Sequence, residues 1–214
     1  MTTRLALYNA ALLLCGERSL SSLTEEREPR RMLDTVWDGG GVRYCLEAGQ
    51  WNFAMRAVQI DYDPTITPAF GFSRAFDKQD DWVRTAGVCS DEFFNVPLLH
   101  YLDEVNYLFC DLDVLYVRYV SDNENFGGDL ARWPGTFTEF ATAYFASKIV
   151  NRLTADKDLG VHVQRELKRT RIDARSKDAM GDPTAFPPAG SWLRARHANR
   201  GSRNDRGNRN SLIG

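Results

Sequence analysis

The chain has 214 residues, 43% hydrophobic and 26% charged, with 27 Lys+Arg against 29 Asp+Glu for a formal net charge of −2. Such usage excludes a wholly disordered chain, a collagen-like fibre and a coiled-coil rod, and the length suits one domain, or one domain carrying an insertion. No apolar run reaches the length of a membrane span, and the apolar stretch Ala10–Leu14 lacks the basic flank of a signal peptide, so neither membrane insertion nor secretion is expected.

Residues 4–15 are predicted to be helical. Leu5, Tyr8 and Leu12 recur at helical spacing, and Gly16 supplies a stop. After the linker Ser19–Ser22, the pattern Ser22-Leu23-Thr24-Glu25 reads as a capping box, with Ser22 or Thr24 as the cap. The helix it would start carries Met32, Leu33, Val36 and Trp37. Gly39-Gly40-Gly41 should break that helix, since glycine costs about 1 kcal/mol per residue against alanine in a helix interior, and a further helical stretch should run from Val42 to Gly49.

From about residue 57 to 122 the character changes. Val58, Ile60 and Tyr62 alternate as in a half-buried strand. Phe70-Gly71-Phe72, Trp82-Val83 and Leu115–Val120 are further β-type runs, punctuated by Pro64, Pro68, Gly71, Gly87 and Pro97. One antiparallel sheet of four or five strands is expected, with Leu115, Val117 and Tyr119 on one face of the last strand.

Helix returns after Trp133-Pro134-Gly135. Thr136 and Glu139 form a second capping-box pattern, and Phe137, Phe140, Ala141, Tyr144, Phe145 and Ile149 make an apolar stripe of helical period. A long helix from about Asp156 to Ala179 has only the thin stripe Leu159, Val163, Leu167 and many Lys and Arg, so it should lie outside. The expected class is α+β: mainly a helical bundle (helices about 4–56 and 136–180) with an inserted small antiparallel β-section (about 57–122), residues 1–180 forming one domain. Residues 181–214, with Pro183, Pro187, Pro188, five glycines and six arginines, are expected to be an extended arm that orders on a partner.

The near-zero net charge hides a separation. Residues 1–60 balance, residues 61–130 carry 4 basic and 14 acidic side chains, residues 131–180 carry 10 basic and 6 acidic, and residues 181–214 carry 6 Arg against Asp182 and Asp205. An acidic middle and a basic end bear on partners, not on fold.

Enzyme motifs are absent: no HExxH, GxSxG, Walker or GxGxxG pattern occurs. His100 with Asp103 and Glu104 reads as a polar loop and not as an acid–base pair. Asp77, Asp80, Asp81, Asp91 and Glu92 lack the loop spacing of a calcium site, Asp111 and Asp113 do likewise, and Gly39–Gly41 lacks the Lys-Ser/Thr of a phosphate loop. Cys15, Cys45, Cys89 and Cys110 are scattered with no CxxC pair, which argues against a metal site and for a reducing compartment. No cofactor, metal or catalytic residue is expected. Trp37, Trp51, Phe53, Phe137, Phe140, Tyr144 and Phe145 are assigned to the core. In the arm, Trp192, Arg194, Arg196, Arg200, Arg203, Arg206 and Arg209 are the candidate binding residues. They could touch nucleic-acid phosphates, dock into an acidic protein groove, or stay solvated.

The order of these segments resembles a known family. Asn9-Ala10-Ala11-Leu12 to Gly16, then Ser19–Leu23, is followed by a helix ending at Leu46 and by Trp51-Asn52-Phe53-Ala54. Phe76-Asp77-Lys78-Gln79-Asp80-Asp81-Trp82-Val83-Arg84 and Leu115-Tyr116-Val117-Arg118-Tyr119-Val120 come next, then the Phe137–Thr154 helix and a long basic helix. Over about residues 4–180 this set resembles the phage head–tail adaptor (connector) family, that of the tail tubular A proteins. The triple glycine and the strongly polar arm depart from its pattern. The resemblance implies a structural virion protein of the phage neck, assembled in the host cytoplasm. It would form a ring of twelve copies that joins the portal to the tail or nozzle protein. DNA would pass through the ring without sequence-specific binding, the arm would reach the portal, and no membrane would be involved. The alternatives are a nucleic-acid-binding module acting through the arm and a tail-associated envelope hydrolase.

Overall fold

The computed structural model describes residues 2–154 and 156–181. The arm residues Trp192, Arg194, Arg196, Arg200, Arg203, Arg206 and Arg209 lie outside the described residues. Those described form a mixed α+β fold with five α-helices and two antiparallel three-stranded sheets. Residues up to Gly181 are one compact unit.

Helix α1 (Arg4–Leu14) starts on Thr3, whose hydroxyl accepts from the Ala6 amide at 3.2 Å, and ends at Cys15 before Gly16 turns the chain at φ +72°. Its inner face is Leu7, Tyr8, Ala11 and Leu12; Leu5 is only half-buried. Helix α2 (Glu28–Asp38) begins later than its sequence pattern suggests. Glu25 does not cap a helix: its carboxylate accepts from the Ser21 amide (2.8 Å) and hydroxyl (2.9 Å) and closes a turn. The helix starts instead beside Pro29, whose missing amide is harmless in a first turn. Asp34 ties α2 to α1 by accepting from Arg4 (2.7 Å) and the Tyr8 hydroxyl (3.0 Å).

The triple glycine does break the helix. Gly39 ends α2, Gly40 turns at φ +81°, and Gly41 opens α3 (Gly41–Glu47). A 3₁₀ turn, Asn52–Ala54, then leads into the strands.

The sheet expectation needs correction: six strands form two separate three-stranded sheets. One has the order β1 (Met55–Asp61), β6 (Val114–Ser121), β3 (Trp82–Cys89). The other has the order β2 (Arg74–Asp77), β5 (Tyr107–Cys110), β4 (Leu102–Asp103). Phe70-Gly71-Phe72 is no strand. Gly71 sits at φ +85°, a conformation that ends pairing, and Phe70 is 87% exposed. Strand β6 joins two cores. Leu115, Val117 and Tyr119 pack with Phe76, Trp82 and Leu108 between the sheets, while Val120, pointing the opposite way, packs among the helices.

Helix α4 (Gly135–Leu153) begins one residue before Thr136, so the Thr136–Glu139 box is not formed; the chain enters through Pro134. Its burial exceeds a stripe. Besides Phe137, Phe140, Ala141, Tyr144, Phe145 and Ile149, the residues Thr142, Ala143, Ala146, Ser147 and Val150 are also buried. The helix is therefore central, touching α1, α2, α3 and α5. Each fully buried phenylalanine contributes about 1.5–3 kcal/mol. Trp51, Trp133 and Phe140 surround Phe137, with ring centroids at 4.9, 4.8 and 6.0 Å. Both buried indoles are satisfied, Trp51 donating to the Cys45 carbonyl (3.0 Å) and Trp133 to that of Gly127 (2.8 Å). Helix α5 (Lys157–Ala179) lies along α4, and Gly160 allows the approach: a Cβ there would meet the Asn151 side chain at 3.0 Å.

Candidate interaction surfaces

Helix α5 presents charge because its inner face is narrow. Asp156 caps it, accepting from the amides of Asp158 (2.9 Å) and Leu159 (3.3 Å). Only Gly160, Val163, Thr170 and Ala174 are buried, which leaves most of the circumference to water. Arg169 is neutralised locally by Glu166 and Asp173, the latter at 2.9 Å. Lys157, Arg165 and Lys168 have no such partner among the described residues. With Asn151, Gly160, Val161 and Gln164 they line an open groove of about 430 Å³ that contains no acidic side chain.

The β-section carries the opposite charge, but its acids divide into two kinds. Asp81, before β3, is structural. It accepts from Arg56 (2.9 Å), the Tyr119 hydroxyl (2.9 Å) and the Ser121 hydroxyl (2.5 Å), and its side chain is 12% exposed. Burial pushes its pKa up, yet these donors together outweigh burial and hold the carboxyl below the usual range. Asp111 is engaged by the Ser73 amide and hydroxyl, Asp113 by Arg74, and Asp122 by Arg43. Asp61, Asp77, Asp80, Glu92, Glu104 and Glu124 are exposed and unpaired among the described residues.

Between β3 and β4 the chain forms a rigid projection. The Asp91 carboxylate accepts from the amides of Asn95 (3.0 Å) and Val96 (2.8 Å), and these bonds hold its pKa down. Phe94 sits at φ +60°, the sole non-glycine positive φ among the described residues. That conformation turns its ring inward over Gly87, with the Arg118 guanidinium 4.3 Å from the ring centre. Its neighbours point outward: Phe93, Val96 and Leu99 are 75%, 55% and 89% exposed. Left-handed backbone at a bulky residue is costly and persists only where packing over-determines it.

The enzyme-like grouping does not assemble. His100 is exposed and stands against the Phe72 ring at 4.9 Å. Asp103 is taken by Lys78 (2.5 Å) and by the Thr85 hydroxyl (2.5 Å), and no hydrogen bond links it to His100. The acids Asp77, Asp80, Asp81, Asp91 and Glu92 do not act as one set; Asp81 and Asp91 serve separate structural tasks. Among the described residues no His, Cys, Asp and Glu group has metal-binding geometry, and no helix is long and apolar enough to cross a membrane. A cleft of about 290 Å³ lies between Trp51, Phe53, Pro134 and Phe137, where Asp178 accepts from the Asn52 amide at 3.1 Å.

Sequence reasoning located the charge separation but missed the projecting loop. Its signal was available: two acids, two phenylalanines, then Asn-Val-Pro, a composition that no buried strand would carry. No protein-family model matches the chain, and no curated protein matches it.

Proposed function

We propose that the protein is a structural, non-enzymatic virion component: a ring-forming head–tail adaptor of the phage neck that joins portal to tail. The observation that carries this reading is one folded unit with two unlike surfaces, an acidic β-section bearing exposed apolar side chains and a basic helix α5. A head-to-tail ring needs two different complementary surfaces per subunit, and opposite charge steers their encounter. In this reading the helices form a bundle that serves as a stiff wedge, and the arm, residues 190–214, reaches the portal. The order of segments over residues 4–180 supports the same reading by resemblance.

The test is the mass of the assembled species, measured by native mass spectrometry with and without the portal protein of the same phage. A twelve-subunit ring on the portal supports the proposal; subunits that never associate, even with portal present, overturn it. The second reading, a nucleic-acid-binding module, draws on the six arginines of residues 181–214. It requires binding to generic DNA that falls steeply with salt, and a flat response at low salt discards it.

A further inference from the structure

We propose that the groove on α5 lined by Lys157, Arg165 and Lys168 receives the Asp91–Leu99 loop of a second copy of this chain. This proposal rests on the ring reading above and names the pair of surfaces that would close it.

The two features match in charge and in chemistry. The loop carries Glu92, exposed and unpaired, beside Phe93, which holds three-quarters of its surface in water. Its shape is set before any partner arrives. Asp91 locks the backbone through the amides of Asn95 and Val96, and Phe94 is driven inward against Gly87. An exposed aromatic on a preorganised loop loses little conformational freedom on docking, which favours binding. The groove offers the reverse: three cations without a local counter-charge, set around Gly160 and Val161, with aliphatic stems to cover an apolar tip. Arg169, beside them on the same helix, is compensated by Glu166 and Asp173 and stays outside the groove lining. Loop and groove lie on different elements, so the contact is head-to-tail and leaves each joined pair one free loop and one free groove for further neighbours.

The experiment is a charge swap on the full chain, read by sedimentation velocity and by assembly on portal rings. Glu92→Arg alone and Lys168→Glu alone should each weaken association by about tenfold or more, because each places like charges together. Their combination should restore it. Both positions are exposed, so folding is checked by unchanged circular dichroism and thermal midpoint. A ring that forms normally in both single variants overturns the loop–groove pairing and leaves the ring reading standing. Single losses without restoration in the combination show that the two surfaces meet different partners, and also overturn it. Lys168→Glu that abolishes binding to generic DNA while assembly is untouched assigns the groove to nucleic acid and overturns the proposal as well. Absence of any association in the unaltered chain, with portal present, removes the ring reading and this inference together.

Discussion

The Asp81 carboxylate, just before β3, accepts from the Tyr119 hydroxyl of the neighbouring strand β6 at 2.9 Å. Tyr119 in turn stacks on Trp82, with centroids 4.0 Å apart and planes 5° from parallel. One carboxylate thus anchors the side chains of Arg56, Tyr119 and Ser121, from two strands.

Asp81→Asn is expected to destabilise the fold by about 2 kcal/mol, since it weakens three hydrogen bonds to a charged acceptor. The pH dependence follows from the lowered pKa. A carboxyl depressed in the folded state stabilises above its unfolded value, about 4, and that contribution disappears as pH falls through the folded value. Urea unfolding between pH 7 and pH 3 should show a steeper acid loss in the unaltered protein than in Asp81→Asn. Parallel profiles would refute the assignment.

The triple glycine supplies a second prediction, because its members do different work. Gly40→Ala should cost about 1 kcal/mol, the penalty for a left-handed alanine. Gly41→Ala should cost about 2 kcal/mol or more: its Cβ would stand 2.7 Å from the Val36 carbonyl oxygen and 3.1 Å from the Phe145 ring. Denaturant midpoints of the two variants decide the order, and the reverse order would show that backbone conformation outweighs packing here.

Cysteine reactivity gives a third. All four cysteines are buried and free. Burial pushes Cys15 up to about 11 and raises Cys45, Cys89 and Cys110 as well. At pH 8 the thiols should stay protonated and shielded. Brief iodoacetamide treatment should add no label to the folded protein and four labels in urea, counted by intact mass. Rapid native labelling at any one of them would contradict the packing.

Removal of residues 190–214 tests the part of the proposal that lies outside the described residues. The expected outcome is a chain with an unchanged thermal midpoint that no longer binds portal rings in a pull-down. Portal binding at full strength would show that the arm is not the portal contact.

Helix α5 illustrates what local pattern can carry. Its thin stripe and basic surface follow from side-chain spacing alone, and so does the break at Gly39–Gly41, because backbone freedom is a property of glycine itself. The capping boxes show the opposite case. Ser22–Glu25 and Thr136–Glu139 have the right letters, yet Pro29 and Pro134 set where the chain can enter each helix. Likewise the stripe on α4 was legible, but not the burial of Thr142, Ala143 and Ala146, which depends on four other helices closing around it.

The candidate surfaces divide along the same line. Sequence by itself determined the acidic middle and the basic end, since charge is counted and needs no coordinates. Only the tertiary structure decided which charges remain available. Asp81 and Asp91 are consumed by the hydroxyls, guanidinium and amides that folding brings to them, while Glu92, Arg165 and Lys168 are left facing water. The reason is that pairing is a matter of distance. Partners such as Asp81 and Ser121, forty residues apart in the chain, meet only once β3 and β6 are in register.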